Sequence, residues 1–259
     1  MFNITRKRLF VKLKEEEEGE KKEKSYSVIV DSPHESHKRF NFPKFSKSVR
    51  IRFGTVDPKR KEVDIEINSI KAILNCRDKV KMKTIFRKKG IPSPLFHTQP
   101  IFSFPLVIKK RGHSRGKGMY LIKDKEDLNI LRKENPFFTN SYFEVFKECD
   151  VEFRIHVIGN KIFHIDKKTL RKDKSEYWVK NLENYKYLEC KYDLPIKLLK
   201  KSIKAVKVLG LDFCAVDVAM NILTKEFWIY EVNAVPGMRT VIKNKYNIVL
   251  TNYIKNILN

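Results

Sequence analysis

The feature that most constrains this chain is a carboxylate inside its most apolar stretch: Asp217 interrupts residues 209–223. A membrane span needs roughly 20 uninterrupted apolar residues, so the stretch does not read as one. It reads as a strand over residues 213–220, followed by a second apolar strand over residues 227–232. Glu231 and Asn233 stand two residues apart there and so point the same way. A hairpin turning near Thr224 sets Asp217 opposite Glu231 on the same face, and three oxygen-bearing side chains converge. Their neighbours Val216, Val218, Ile229, Tyr230 and Val232 are apolar, so carboxylates buried among them need a compensating cation. Two carboxylates and an amide are hard donors of the kind Mg²⁺ takes, with phosphate oxygens to complete an octahedron. The plain alternative is three unrelated polar positions on an exposed sheet face.

The rest of the chain alternates strands and helices. Strands are expected over residues 2–14, 27–30 and 49–53, with a charge block at 15–24 reading as a solvated hairpin tip. Helices are expected over 68–74 and over 78–89, the second stopped by Gly90 and Ile91-Pro92. From Phe104 onward the expected strands are 106–109, 119–122, 142–146, 152–158 and 161–166. Residues 125–132 and the amphipathic 194–209 read as helices, as does the C-terminus from Asn247. The fold class is α+β with antiparallel hairpins, and 259 residues suffice for one large domain or two to three lobes.

Charge adds a constraint on partners. Lys and Arg number 55 against 31 Asp and Glu, a net charge of +24. Such a field attracts polyanions, so nucleic acid, nucleotide phosphates and acidic proteins are all admissible partners. Cys76, Cys149, Cys190 and Cys214 form no CxxC pair and read as free thiols. The opening Met1-Phe2-Asn3-Ile4 turns charged at once and carries no secretory signal, so a soluble, cytoplasmic protein is expected.

Two further segments carry chemistry. Lys109 ends an apolar strand and precedes a basic, glycine-containing loop over residues 110–118, where free backbone N–H groups and cations could cradle phosphate. It is not a Walker A loop, because the GxxxxGK[ST] spacing is missing. Tyr142-Phe143-Glu144-Val145-Phe146 offers a plausible edge for adenine, and Glu152 follows as a candidate for ribose hydroxyls. No Ser/His/Asp or Cys/His grouping suggests a covalent nucleophile. His156 and His164 read as ordinary sheet residues, and Tyr177-Trp178 as loop packing.

Together these segments resemble the ATP-grasp ligases, particularly the branch that includes the ribosomal-protein S6 glutamate ligase and related short phage and bacterial carboxylate–amine ligases. Arg77-Asp78-Lys79 and Phe104-Pro105-Leu106-Val107-Ile108-Lys109 look like the family's two lysine motifs. His113-Ser114-Arg115-Gly116-Lys117-Gly118 is similar to its phosphate lid, Phe143-Glu144-Val145-Phe146 to its adenine hinge, and Glu152-Phe153-Arg154 to its ribose motif. Glu231-Val232-Asn233-Ala234-Val235-Pro236-Gly237 is close to E-x-N-x-x-P-G, with Asp217 at the expected upstream distance.

The resemblance covers about residues 68–259 and implies an ATP-grasp fold, two α+β lobes clasping ATP, behind a small basic N-terminal lobe. It divides the chain into a pre-ATP-grasp-like lobe, 1–74, and an ATP-grasp domain, 75–259, split into 75–145 and 146–259. It implies that Lys79 and Lys109 meet the α- and β-phosphates, and that His113, Ser114, Gly116, Lys117 and Gly118 cover them. Glu144, Val145 and Phe146 would receive adenine, and Glu152 the ribose. Asp217, Glu231 and Asn233 would hold Mg²⁺, taken as two ions. Arg154, Lys180 and Asn181 would act at the γ-phosphate and acceptor. Ala215 stands where D-alanine-ligase-type enzymes carry a substrate-binding arginine, which disfavours that substrate class. The implied reaction joins a carboxylate to an amine through an acyl phosphate, with an acidic carboxylate or peptide as substrate. The competing class is a polyanion-binding or structural protein on the same fold.

Overall fold

The computed structural model describes residues 24–33, 40–57, 62–101, 103–112, 118–135, 138–172, 179, 184–191, 193–237 and 240–259. The first three strands, β1 (Ile29–Asp31), β2 (Val49–Arg52) and β3 (Ile65–Ile67), form a parallel sheet in that order. Helices α1 (Ile70–Arg77) and α2 (Lys79–Lys89) follow. A second sheet, order β4-β7-β5-β6, joins β4 (Phe96–His97), β5 (Leu106–Lys110), β6 (Met119–Ile122) and β7 (Ser141–Val145), with α3 (Lys125–Glu134) against it. The largest sheet, order β10-β9-β8-β11-β12, contains β8 (Val151–Ile158), β9 (Lys161–Leu170), β10 (Tyr185–Glu189), β11 (Phe213–Met220) and β12 (Phe227–Asn233). Helix α4 (Ile196–Leu209) precedes β11, and α5 (Thr240–Leu258) closes the chain. Among the described residues no helix is long and apolar enough to cross a membrane.

Period-2 alternation gives the largest sheet two unlike faces. Phe153, Ile155, Val157, Cys214, Val216, Val218, Ile229 and Val232 pack against Leu198, Ala205, Val206 and Leu209 of α4 and against Ile73, Cys76, Met82 and Phe86 of α1 and α2. The opposite face carries Glu152, Arg154, Asp217, Glu231 and Asn233, the polar set of the sequence pattern. Helix α2 starts where Asp78 caps the Lys81 N–H at 3.0 Å and stops at Gly90, whose φ of 64° is the left-handed conformation glycine adopts freely. Those boundaries set Lys79 in the first turn and Lys83 one turn on, along the same side of the helix.

The parallel sheet is held by the far end of the chain. Val49, Ile51, Phe53 and Ile67 share a core with Ile158, Phe213 and with Ile242, Tyr246, Leu250 and Ile254 of α5. Asn68 clamps the junction: its Nδ2 donates to the Phe213 carbonyl at 2.9 Å, and its Oδ1 accepts from the Asp212 N–H at 2.8 Å. Helix α1 runs on through residues 74 and 75. The basic strand anticipated around Val49 puts little charge on the surface, because Arg50 and Arg52 are buried against Asp31 and Glu66.

Several expectations need correction. The first sheet is parallel, β3, β4 and β10 were not foreseen, and α5 starts at Thr240 rather than Asn247. The strand expected to end at residue 166 runs on through residues 167–170, because β10 supplies the hydrogen-bonding partner that keeps them extended. The expected strand at 2–14 lies outside the described residues, as does the charge block at 15–24 apart from Lys24.

The turn after β2 reaches the segment that follows Asn233. Gly54 has a φ of 72°, and a Cβ there would lie 2.0 Å from Val235 Cγ2. Gly54→Ala is therefore expected to cost at least about 2 kcal/mol through overpacking and backbone strain together. Adding Val235→Ala should recover the steric share but not the strain. Urea unfolding of the three variants checks this, and a Gly54→Ala protein as stable as wild type would show that the contact gives way freely.

Candidate active site

Strand pairing assembles the centre of the site. Asp217 is in register with Glu231, and Ala215 with Asn233. Asn233 Nδ2 donates to Asp217 Oδ2 at 3.0 Å and to Glu231 Oε1 at 2.9 Å, tying the three oxygen-bearing groups into one unit. A bulge follows, since Val218 pairs with Ile229 and Tyr230 is left over. On the other flank of β11, Arg154 is in register with Asp217 and grips it with two hydrogen bonds, Nε to Oδ1 at 2.7 Å and Nη2 to Oδ2 at 2.8 Å. Its guanidinium lies 4.5 Å over the Tyr187 ring. Lys79 Nζ stands 2.9 Å from Glu231 Oε2. Two carboxylates thus meet two cations.

Burial acts to raise the Glu231 carboxyl, but the Lys79 ammonium, the Asn233 amide and Arg154 outweigh it and hold the group ionised, far below the usual carboxylate range. Burial likewise acts against the charge on Arg154, and Asp217 reverses it, so the guanidinium stays cationic. Beside this centre Lys168 Nζ pairs with Glu152 Oε2 at 2.5 Å and also faces the Tyr187 ring.

The second sheet contributes a lysine pair. Lys109 Nζ lies 2.6 Å from Glu144 Oε2, and Lys83 Nζ, reaching across from α2, lies 3.1 Å from Glu144 Oε1. Lys109 also sits 5.6 Å from the Tyr230 ring centroid, which joins this group to the bulge of the larger sheet. Residues 146–150 link the two sheets, and Tyr230 donates its hydroxyl to the Lys147 carbonyl at 3.3 Å. A pocket of about 250 Å³ between the start of α2 and the turn after β5 is lined by Lys79, Asp78, Arg77, Leu74, Arg111 and Gly112.

Of the residues singled out from the sequence, Asp217, Glu231, Asn233, Arg154 and Lys79 are brought into direct contact. Lys109 and Glu144 form the neighbouring pair, and Glu152 lies beyond with Lys168. The Glu144 carboxylate is taken by lysines, and the N–H groups of Val145 and Phe146 bond the Leu95 and Pro105 carbonyls at 2.8 and 3.0 Å. A purine edge must therefore find other atoms of this hinge. Gly118 closes the basic loop with its carbonyl on the Lys110 N–H at 3.1 Å, while His113, Ser114, Gly116, Lys117, Lys180 and Asn181 lie outside the described residues, as do Tyr177 and Trp178. His156 and His164 form a buried structural cluster with Asp166 and Tyr246. None of the four cysteines forms a disulfide.

Sequence reasoning missed Lys83, Lys168, Tyr187 and Tyr230. Lys83 left a signal, a charge falling between Met82 and Phe86 on the buried side of α2. Tyr187 left none, since its strand went unrecognised. Among the described residues no three His, Cys, Asp or Glu side chains cluster as metal ligands, so the candidate set is two carboxylates and an amide.

Burial lowers Lys83 to about 8, against an ordinary 10.5, with Glu144 opposing the shift. Between those values the unfolded chain holds the proton that the folded protein has released, so stability rises with pH across the window. Relative to Lys83→Met, the wild type should gain up to about 3 kcal/mol as pH climbs from neutral to alkaline. Paired urea melts at the two ends of the window measure this; a constant difference would mean that Lys83 does not titrate there.

Comparison with known proteins matches residues 76–257 to a family model described as a RimK-like ATP-grasp domain. Beta-citrylglutamate synthase B of Homo sapiens is 25% identical over 189 residues, covering 66% of this chain and 47% of that protein. A Haemophilus influenzae protein named "Probable alpha-L-glutamate ligase" is 27% identical over 201 residues, 68% of this chain and 61% of that one. The chain thus spans about half to three fifths of the length of the curated relatives it matches. Among solved structures, D-alanine–D-alanine ligase from Bacillus anthracis superposes with a TM-score of 0.60 at 17% identity, covering 81% of this chain and 78% of that one. The ATP-grasp ligase PsnB, complexed with a minimal precursor, gives 0.53 at 16% identity, covering 68% and 57%. At such identities the likeness is one of fold.

Proposed function

Because the chain belongs to the RimK-like ATP-grasp family, we propose that it is an ADP-forming carboxylate–amine ligase, with Mg-ATP held between the four-stranded and five-stranded sheets. The observation that carries this is the paired Asp217 and Glu231 bridged by Asn233, faced by Arg154 and Lys79 and adjoined by Lys109. The family uses ATP and Mg²⁺ in general, and this donor set fits the ion: hard oxygens on one sheet face, with an amide whose oxygen turns inward on a simple flip. Asp217, Glu231 and Asn233 would hold Mg²⁺, two ions on this reading, which when bound neutralises phosphate charge.

The other roles belong to the chain's own groups. Lys79 and Lys109 meet phosphate oxygens as point charges, and the loop of His113, Ser114, Gly116, Lys117 and Gly118 covers them. The hinge at Glu144, Val145 and Phe146 borders adenine, and Glu152 takes the ribose hydroxyls. Arg154 stabilises charge developing on the γ-phosphate, and Lys180 with Asn181 orients the acceptor. A carboxylate oxygen of the donor bonds to the γ-phosphorus as its bond to the ADP oxygen breaks. The acceptor amine then bonds to the acyl carbon, phosphate leaves, and the amine proton passes to solvent. Positioning and charge neutralisation supply the rate, with no enzyme nucleophile. Residues 1–74 form the N-terminal lobe on this reading, 75–145 and 146–259 the two halves of the ATP-grasp domain, and the protein works in the cytoplasm.

The substrate class follows from charge and from the relatives' names, both of which refer to glutamate. Glutamate or an acidic peptide suits a chain with 55 Lys and Arg against 31 Asp and Glu, whose field draws anions in. The family match favours this ligase over the nucleic-acid-binding alternative drawn from net charge. The test is ADP release with Mg-ATP over a panel of amino acids and acidic or basic peptides. Stimulation by an anionic substrate is expected, and a preference for cationic ones would reject the substrate class. Its kcat/KM should fall steeply from low to physiological salt, as the Debye length shrinks from about 30 Å to about 8 Å. A salt-independent value would remove the steering.

A further inference from the structure

Glu144 is buried, 2% exposed, yet it carries two ammonium groups. Lys109, on β5, takes Oε2 at 2.6 Å; its side chain is 17% exposed and faces the Tyr230 ring. Lys83 takes Oε1 at 3.1 Å and is 1% exposed, closed in on α2 beside Met82 and Phe86. One lysine is enough to neutralise one carboxylate. A methionine at position 83 would fill the same apolar space without desolvating a charge, and well-packed apolar replacements of buried ions are often neutral or stabilising. The burial cost of Lys83 is visible in its ammonium, pulled down to about 8 by desolvation against the pull of Glu144. Among the described residues its Nζ makes no well-aligned hydrogen bond. Packing and neutralisation alone therefore do not account for a lysine here.

Lys109 does. If it were the sole partner of Glu144, turning its charge towards a phosphate would strand a buried carboxylate without a counter-charge, a costly state. With Lys83 on the other oxygen, Glu144 stays compensated wherever Lys109 points. We infer that Lys83 is a positioning residue: a standing counter-ion for Glu144 that leaves the Lys109 ammonium available to the nucleotide phosphates. Lys83 itself is covered and touches no substrate. The inference rests on the reading of Lys109 as a phosphate ligand.

Calorimetric titration with Mg-ATP and steady-state kinetics on four proteins test it: wild type, Lys83→Met, Glu144→Gln and the double variant. Lys83→Met is expected to weaken Mg-ATP binding at least tenfold and to raise KM accordingly, with kcat at saturation within about threefold of wild type. The double variant should bind within about threefold of Glu144→Gln alone, because without the carboxylate nothing holds Lys109 back. Lys83→Arg, which keeps the charge, should bind nearly as wild type does, and it carries the test if Lys83→Met fails to fold. Wild-type affinity in Lys83→Met, a double variant no better than Lys83→Met, or a tenfold loss in Lys83→Arg would each overturn the inference. Failure of the functional reading looks different: the wild type would not bind Mg-ATP, or Lys109→Met would bind it unchanged.

Discussion

Glu231→Gln is expected to reduce ATP-dependent turnover at least about a hundredfold, a loss of roughly 2.7 kcal/mol or more of transition-state stabilisation. The substitution keeps the volume and shape of the side chain and removes one unit of charge from the group that Asn233 ties together. It also leaves Lys79, 2.9 Å away, without its anion, so the balance of two carboxylates and two cations is broken in favour of positive charge. Stability should fall by much less than turnover does, because the Glu231 side chain is 37% exposed and solvent weakens its ion pair with Lys79. ADP release and thermal melting, measured on the same preparation, separate these effects. Undiminished ATP consumption would show that the metal position is not here.

Arg154→Met should be costly in a different way. Both oxygens of Asp217 are engaged by the guanidinium, and both side chains are largely buried, at 15% and 10% exposed. Removing Arg154 leaves Asp217 with the Asn233 amide but, among the described residues, no cation in contact, and breaking a buried pair from one side costs about 3 kcal/mol or more. Urea unfolding in metal-free buffer is expected to show that loss, together with a fall in turnover of at least a hundredfold, equivalent to about 2.7 kcal/mol. Millimolar Mg²⁺ should restore part of the stability, because an ion bound to Asp217 in the folded state alone stabilises by mass action. The wild type should gain less, since there Arg154 competes for the same oxygens. A variant as stable as wild type without Mg²⁺, or indifferent to the ion, would contradict the assignment of Asp217.

How far the site was legible depends on which contacts made it. The hairpin of β11 and β12 could be read directly, since the short apolar run of residues 213–220 marks a strand whose bounds agree with the structure. The bulge at Tyr230 could not, because an extra residue in one strand is visible only against its partner. Lys79 and Lys109 stand at the start of a helix and the end of a strand, positions that local signals mark. Lys83 stands in mid-helix, where its place between Met82 and Phe86 hints at burial but names no partner until Glu144 arrives from β7. Lys168 falls two residues beyond the end expected for its strand. It is held in β9 by β10, a short edge strand of mixed composition whose own pattern is too weak to announce it.

Local spacing determined which side chains share a face: Asp217, Glu231 and Asn233 were committed to one side of a hairpin before any partner was known, because the strand repeat is two residues. It also determined that those carboxylates needed a cation, from the apolar residues on either side of them. Which cations answered was decided only by the tertiary structure. Arg154 lies 63 residues from Asp217 in the chain, and Lys109 lies 35 from Glu144. Electrostatic attraction at hydrogen-bonding distance depends on separation in space and on dielectric surroundings. Neither is a property of sequence position, and both exist only once the sheets and α2 have closed around the charges.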